Sequence, residues 1–299
     1  MKTGALFLTL ALLAAGAAVG PAAARQGDAG RGTQTQEADE RPLVVNADLV
    51  TVTVTVTDGE GRHVAGLGKS AFAVTDDKVP QEVSFFADED EPASVGVLLD
   101  VSGSMSGDKI ERAKEALAGL VRTSHPMDEF FLIDFDSQAR LILNRTRDGD
   151  AVLAKFTYAR PHGETALYDA VYLGVEKVMR GAHRKRAVIV ISDGEDNSSR
   201  HSFGELRRQL QESGVALYAV GVSENWLPKQ GVGEETLRRL ASVTGGEAFF
   251  PDGAAGVSEA FERIALILRH QYAIGYRPSN FAADGRWHRL RVGSRRRPG

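Results

Sequence analysis

Residues Ala93–Met105 read ASVGVLLDVSGSM. From Ala93 to Leu99 the run is apolar without alternation, as expected of a strand covered on both faces, and it breaks at Asp100-Val101-Ser102-Gly103-Ser104 into small polar residues. Next, Ile110, Ala113, Leu117, Leu120 and Val121 fall on one stripe and predict an amphipathic helix over Lys109–Val121. The pattern then recurs along the chain. Strands are predicted at Glu129–Phe135, Ala187–Ile191, Val215–Val220 and near Ala248–Phe250, with helices at Ala151–Phe156, Ala166–Met179, Phe203–Glu212, Glu234–Val243 and Val257–Leu268. Arg140–Leu143 is a further strand, set to pair antiparallel with its predecessor through a tight turn at Asp136-Ser137-Gln138. Strands alternating with helices make an α/β fold, a doubly wound and mostly parallel Rossmann-like sheet. Ligands of such sheets bind outside the carboxyl ends of the strands, where the polar clusters of this chain fall.

The cluster after Leu99 offers one carboxylate, Asp100, and two hydroxyls, Ser102 and Ser104, at alternate positions, with Gly103 free to turn. Three hard oxygens on one face suit Mg²⁺ or Mn²⁺, although Ser and Asp are equally at home as helix caps. Two later segments bear on the choice. Gly163-Glu164-Thr165 sets a hydroxyl at a helix entry, and Ile191-Ser192-Asp193-Gly194 ends another buried strand in a carboxylate. Alone, Thr165 reads as an N-cap and Asp193 as a turn residue. Together the segments bring five oxygen-bearing side chains to one sheet edge.

DVSGSM, GETALYDA and ISDGEDNS, in this order on successive β/α units, resemble the von Willebrand factor type A domain with an intact metal-ion-dependent adhesion site. The resemblance covers Ala93 to Arg269. It implies that Asp100, Ser102, Ser104, Thr165 and Asp193 hold Mg²⁺ or Mn²⁺, with a coordination position open to an Asp or Glu carboxylate of a partner protein. It also implies a binding module without catalysis of its own. The competing reading is a cell-envelope structural or assembly factor whose β segments make the main contact. Hydrolysis would require a placed base or a second metal. His162, Glu195 and Asp196 are the nearest candidates, and each has a simpler reading as a solvated loop residue.

On either side of this region the chain reads differently. Residues 1–24 carry Lys2, an apolar stretch from Ala5 to Val19 and an Ala22-Ala23-Ala24 end, the pattern of a secretory signal peptide. The protein is therefore expected to be exported, periplasmic or extracellular, with no membrane span after cleavage. Residues 25–42 are polar and without apolar period, a flexible linker. In residues 43–90 the strict alternation Val50-Thr51 through Val56-Thr57 is a half-buried strand, followed by candidates at Phe72–Thr75 and Glu82–Phe86. Tyr272–Tyr276 and Leu290–Val292, within residues 270–299, are expected to pair with Val50–Val56 and Glu82–Phe86 as one β-sandwich. QYAIGYRPSN and RWHRLRV, like the segment before the domain, resemble the flanks of exported bacterial proteins with a von Willebrand-related domain.

Composition narrows the chemistry further. In 299 residues, 36 Lys and Arg against 40 Asp and Glu leave no basic excess for nucleic acid. With no cysteine, disulfides, thiolate zinc sites and cysteine nucleophiles are excluded, so any metal takes oxygen or histidine ligands.

Overall fold

The computed structural model describes residues 7–12, 49–58, 64–88, 90–157, 159–222, 231–251, 253–279, 286 and 288–294. The expected linker at residues 25–42 and the terminal arginines lie outside them. Phe7–Leu12, inside the expected signal peptide, is strand β1 and runs antiparallel to β2, Val50–Thr57. The valines at positions 52, 54 and 56 of β2 are buried, as the period of two requires. Phe72–Asp76 (β3), Val79–Gln81 (β4) and Val83–Asp88 (β5) follow. β3 and β4 form a hairpin whose turn residues, Asp77 and Lys78, have φ of 44° and 73°.

The buried run opening the central region is β6, Ala93–Asp100, with all eight residues buried. The chain then continues as α1 (Asp108–Thr123), β7 (Glu129–Phe135), β8 (Ala139–Thr146), α2 (Gly149–Phe156), α3 (Leu167–Met179) and β9 (Lys185–Ser192). It completes the unit with α4 (Phe203–Ser213), β10 (Ala216–Gly221), α5 (Val232–Val243), β11 (Ala248–Phe249) and α6 (Gly253–Arg269). The sheet order is β11-β10-β9-β6-β7-β8, parallel except for β8, which folds back on β7 as the turn at Asp136–Gln138 predicts. Alternate residues of β6 serve opposite faces. Val95, Val97 and Leu99 pack with α1, α2 and α6, whereas Leu98 packs with α3 and the side of α4 and α5. Covering both faces removes the strand from water and explains why it shows no polar alternation.

β12 (Tyr272–Tyr276) inserts between β2 and β5, as expected, and makes a four-stranded antiparallel sheet with β1. β13 (Leu290–Ser294) departs from the expectation. It pairs with β3 in a second antiparallel sheet, β13-β3-β4, rather than with β2 or β5. The reason lies in the register: Val292 opposite Val74 places both side chains in the core that faces β2 and β12. Phe72, Tyr272 and Phe86 fill that core, with ring centroids 5.1–5.9 Å apart. Tyr272 is fully buried, and its hydroxyl donates to the Val64 carbonyl and accepts from the Leu67 amide, so the ring costs no unpaired polar group. Among the described residues no helix is long and apolar enough to cross a membrane.

Candidate functional site at the carboxyl end of the central sheet

β6 and β9 are neighbours at the point where the strand order reverses, and both end in acidic or hydroxylic residues. Asp100, the last residue of β6, is wholly buried. Its Oδ1 accepts the Ser102 amide at 2.9 Å, and its Oδ2 accepts the Ser192 hydroxyl at 2.6 Å. Burial pushes this carboxyl up to about 6, against the hydrogen bonds from Ser102 and Ser192, and the nearby Asp193 adds to the rise. A buried anion held by neutral donors alone is short of positive charge. The Ser102 and Ser104 hydroxyls lie 3.0 Å from one another across the turn that follows.

The Thr165 loop is laced to this turn through the backbone. The Gly103 amide donates to Gly163 O at 3.0 Å, and the His162 amide donates to Val101 O at 2.8 Å. A Cβ on Gly163, whose φ is +74°, would stand 2.8 Å from Ser137 Oγ, so glycine is required for both its torsion and its closeness. Thr165 is buried. Its amide donates to Asn197 Oδ1 at 2.8 Å, and its carbonyl accepts the amides of Asn197 and Ser198, which joins it to the loop after β9. Asp193 in that loop faces Lys109 from the start of α1, with Nζ 3.2 Å from Oδ2 and side chains only 11% and 12% exposed. The same ammonium donates to Ser104 O at 2.8 Å.

Asp100, Ser102 and Ser104 are therefore joined directly, Asp193 reaches them through Lys109, and Thr165 is tied in by backbone bonds and Asn197. Lys109 is the residue that sequence reasoning missed. Its spacing on the α1 stripe reads as ordinary helix surface, and only the return of β9 supplies its partner. Ser192 was detectable as the hydroxyl closing the aliphatic run Ala187–Ile191. Two of the alternatives are engaged elsewhere, and Glu195 is exposed. His162 Nε2 sits 2.9 Å from Asp136 Oδ2, while Asp196 accepts the Tyr168 amide and the Ser199 hydroxyl at the entry to α3.

Residues 94–263 match the sequence profile of the von Willebrand factor type A domain. The chain belongs to this family. An uncharacterized protein of Synechocystis sp. is 22% identical over 180 residues, covering 58% of this chain and 41% of its own length. Mouse inter alpha-trypsin inhibitor heavy chain 4 is 30% identical over 128 residues, 38% of this chain and 14% of its own. The chain thus spans less than half the length of either curated relative. Among solved structures, an aerotolerance-related membrane protein from Bacteroides fragilis aligns with TM-score 0.50 and 21% identity over 60% of this chain and 98% of that one. A von Willebrand factor type A protein from Catenulispora acidiphila gives TM-score 0.50 and 20% identity over 73% and 45%. At these identities the likeness speaks for the type A fold.

Two carboxylates and three hydroxyls would make a fitting donor set for a hard divalent cation, and a lysine ammonium is drawn to one of the carboxylates, Asp193. Such an ion supplies an electrophilic position for an incoming anion.

Proposed function

We propose that the protein is an exported type A interaction module that captures an acidic group of a partner protein through a divalent cation, Mg²⁺ or Mn²⁺. In this reading Asp100, Ser102, Ser104, Thr165 and Asp193 hold the ion. Residues 1–24 act as the signal peptide, whose removal takes β1 from the edge of the β1-β2-β12-β5 sheet, and the two flanks, 43–90 and 270–299, form one accessory module beside the domain at 93–269. The observation that carries the reading is the fully buried Asp100 carboxylate, which has two neutral donors and shares its turn with the hydroxyl pair of Ser102 and Ser104. Removing an anion from water without a counter-charge is costly, and a cation offsets that cost. Catalysis forms no part of this proposal, since His162, the nearest imidazole of the Thr165 loop, is committed to Asp136.

Calorimetric titration of the metal-free full chain with Mg²⁺ and Mn²⁺ tests the reading. One ion per chain is expected, and Asp100→Ala should weaken uptake by at least about 10–100-fold, as loss of metal-site groups does, with the circular dichroism of the fold retained. A folded protein that takes up neither ion ends the proposal. Partner capture that ignores both EDTA and Asp100→Ala would move the main contact to the β segments and favour an envelope assembly factor.

A further inference from the structure

A second convergence of ligating side chains lies far from the strand-end site, where the β3–β4 turn meets the segment leading into β13. One ligating atom each of Asp76, Asp77 and His288 lies within 4.8 Å of the others. His288 Nδ1 is 3.0 Å from Asp76 Oδ1 and 3.3 Å from Asp77 Oδ2. The remaining oxygens are held from outside by neutral donors: the Tyr276 hydroxyl donates to Asp76 Oδ2 at 3.0 Å, and the Arg289 amide donates to Asp77 Oδ1 at 2.9 Å. Each carboxylate is thus oriented by an outer partner and turns its other oxygen toward the imidazole, the division of roles found around metal ligands.

The convergence of two carboxylates on one ring nitrogen suits an ion seated among the three groups. Ligands about 2.0–2.1 Å from a tetrahedral zinc stand about 3.3 Å from one another, which the 3.0 and 3.3 Å from His288 to the two carboxylates match, with the third separation inside 4.8 Å. One Nδ1–H cannot point straight at two carboxylates, so in a cluster whose Asp76 is only 7% exposed one of the two His288–carboxylate contacts lacks a well-aligned hydrogen bond. Imidazole with carboxylates selects Zn²⁺ over Mg²⁺ or Ca²⁺. Asp77 and His288 also line a cleft of about 750 Å³ that Lys78, Arg207, Arg289 and Arg291 share, so the fourth position faces a lining that favours water, hydroxide or another anion.

The geometry points to a zinc site formed by Asp76, Asp77 and His288, which fastens the N-terminal hairpin to the C-terminal strand across 212 residues of chain. It stands independently of the cation proposed at β6. Equilibrium dialysis of the metal-free full chain against ZnCl₂, with metal analysis, provides the test, alongside wild-type, His288→Gln, Asp77→Asn and Asp100→Ala proteins. With Mg²⁺ in large excess to occupy the strand-end site, one zinc per chain is expected in wild type and in Asp100→Ala. His288→Gln and Asp77→Asn are expected to lose affinity more than about tenfold, and zinc should raise the melting temperature of wild type but of neither variant. Asp77 is the more exposed ligand, so Asp77→Asn serves should His288→Gln fail to fold. Wild type without zinc uptake, or uptake unchanged in both variants, overturns the proposal. Zinc lost in Asp100→Ala but kept in His288→Gln also overturns it, because the ion would then sit at the strand-end site.

Discussion

The two acidic centres of this protein are built on different kinds of sheet. At the end of β6 the carboxylate is wholly buried, its neighbours are hydroxyls, and the nearby positive charge is an ammonium from α1. Beside β3 the acids lie at a hairpin turn, one buried and one exposed, with an imidazole between them. A parallel sheet covered by helices converges loops from several units on one edge, so small oxygen ligands from distant segments can meet there. An antiparallel hairpin offers only the residues of its own turn and of the strand paired beside it. The first arrangement suits a hard ion with an open position, the second a borderline ion that fastens strands together.

The largest expected effect tests whether the two sheets fail separately. Tyr272→Ala removes the central ring of the flanking core and should cost about 3–5 kcal/mol in denaturant unfolding. Magnesium uptake at β6 is expected to survive, because that site rests on different cores. Loss of both together would merge the two regions into one cooperative unit. Tyr276→Phe is milder. It strips the donor from the buried Asp76 oxygen and should cost about 1–3 kcal/mol, with zinc affinity lowered and magnesium affinity unchanged. Burial, together with the bond to Asp76, pushes the Tyr276 hydroxyl well above its ordinary range, so it stays a neutral donor.

At the other centre, Lys109→Met removes the ammonium that competes for Asp193. Magnesium affinity should rise about tenfold by calorimetry, the equivalent of about 1.4 kcal/mol; a fall would mean that Lys109 organises the site rather than competing for it. The smallest effect concerns Asp169, whose burial is outweighed by the amides of His201 and Arg200 and by the His201 ring, so its carboxyl lies below its ordinary 3.8. A depressed carboxyl stabilises the fold above its unfolded value and loses that contribution as pH falls through the folded one. Asp169→Asn should therefore cost about 1 kcal/mol at neutral pH, with the difference from wild type fading below about pH 4 in urea melts. A difference that persists in acid would trace the cost to packing instead.

Much of this was legible in the chain. The unbroken apolar run of β6 and the period of two in β2 each allow one environment, covered on both faces or on one. The order of strands and helices fixed the α/β class, and two polar segments at strand ends with a third at a helix entry marked the candidate site. The partner of β13 was not legible, because Leu290–Val292 alternates equally well against β2, β3 or β5, and only the shape of the shared core selects β3. Lys109 and His288 were hidden for a related reason: each is one polar residue at an ordinary position until a distant segment brings a carboxylate to it.

By itself, then, the sequence determined most of the strands, though not β1 or β4, and which faces are dry and where oxygen-rich turns must fall, since those follow from local periodicity and side-chain chemistry. Tertiary structure alone decided which charges meet. The encounters of Lys109 with Asp193 and of His288 with Asp76 depend on where chain segments return after 84 and 212 residues, and no local pattern encodes a distance of 3 Å.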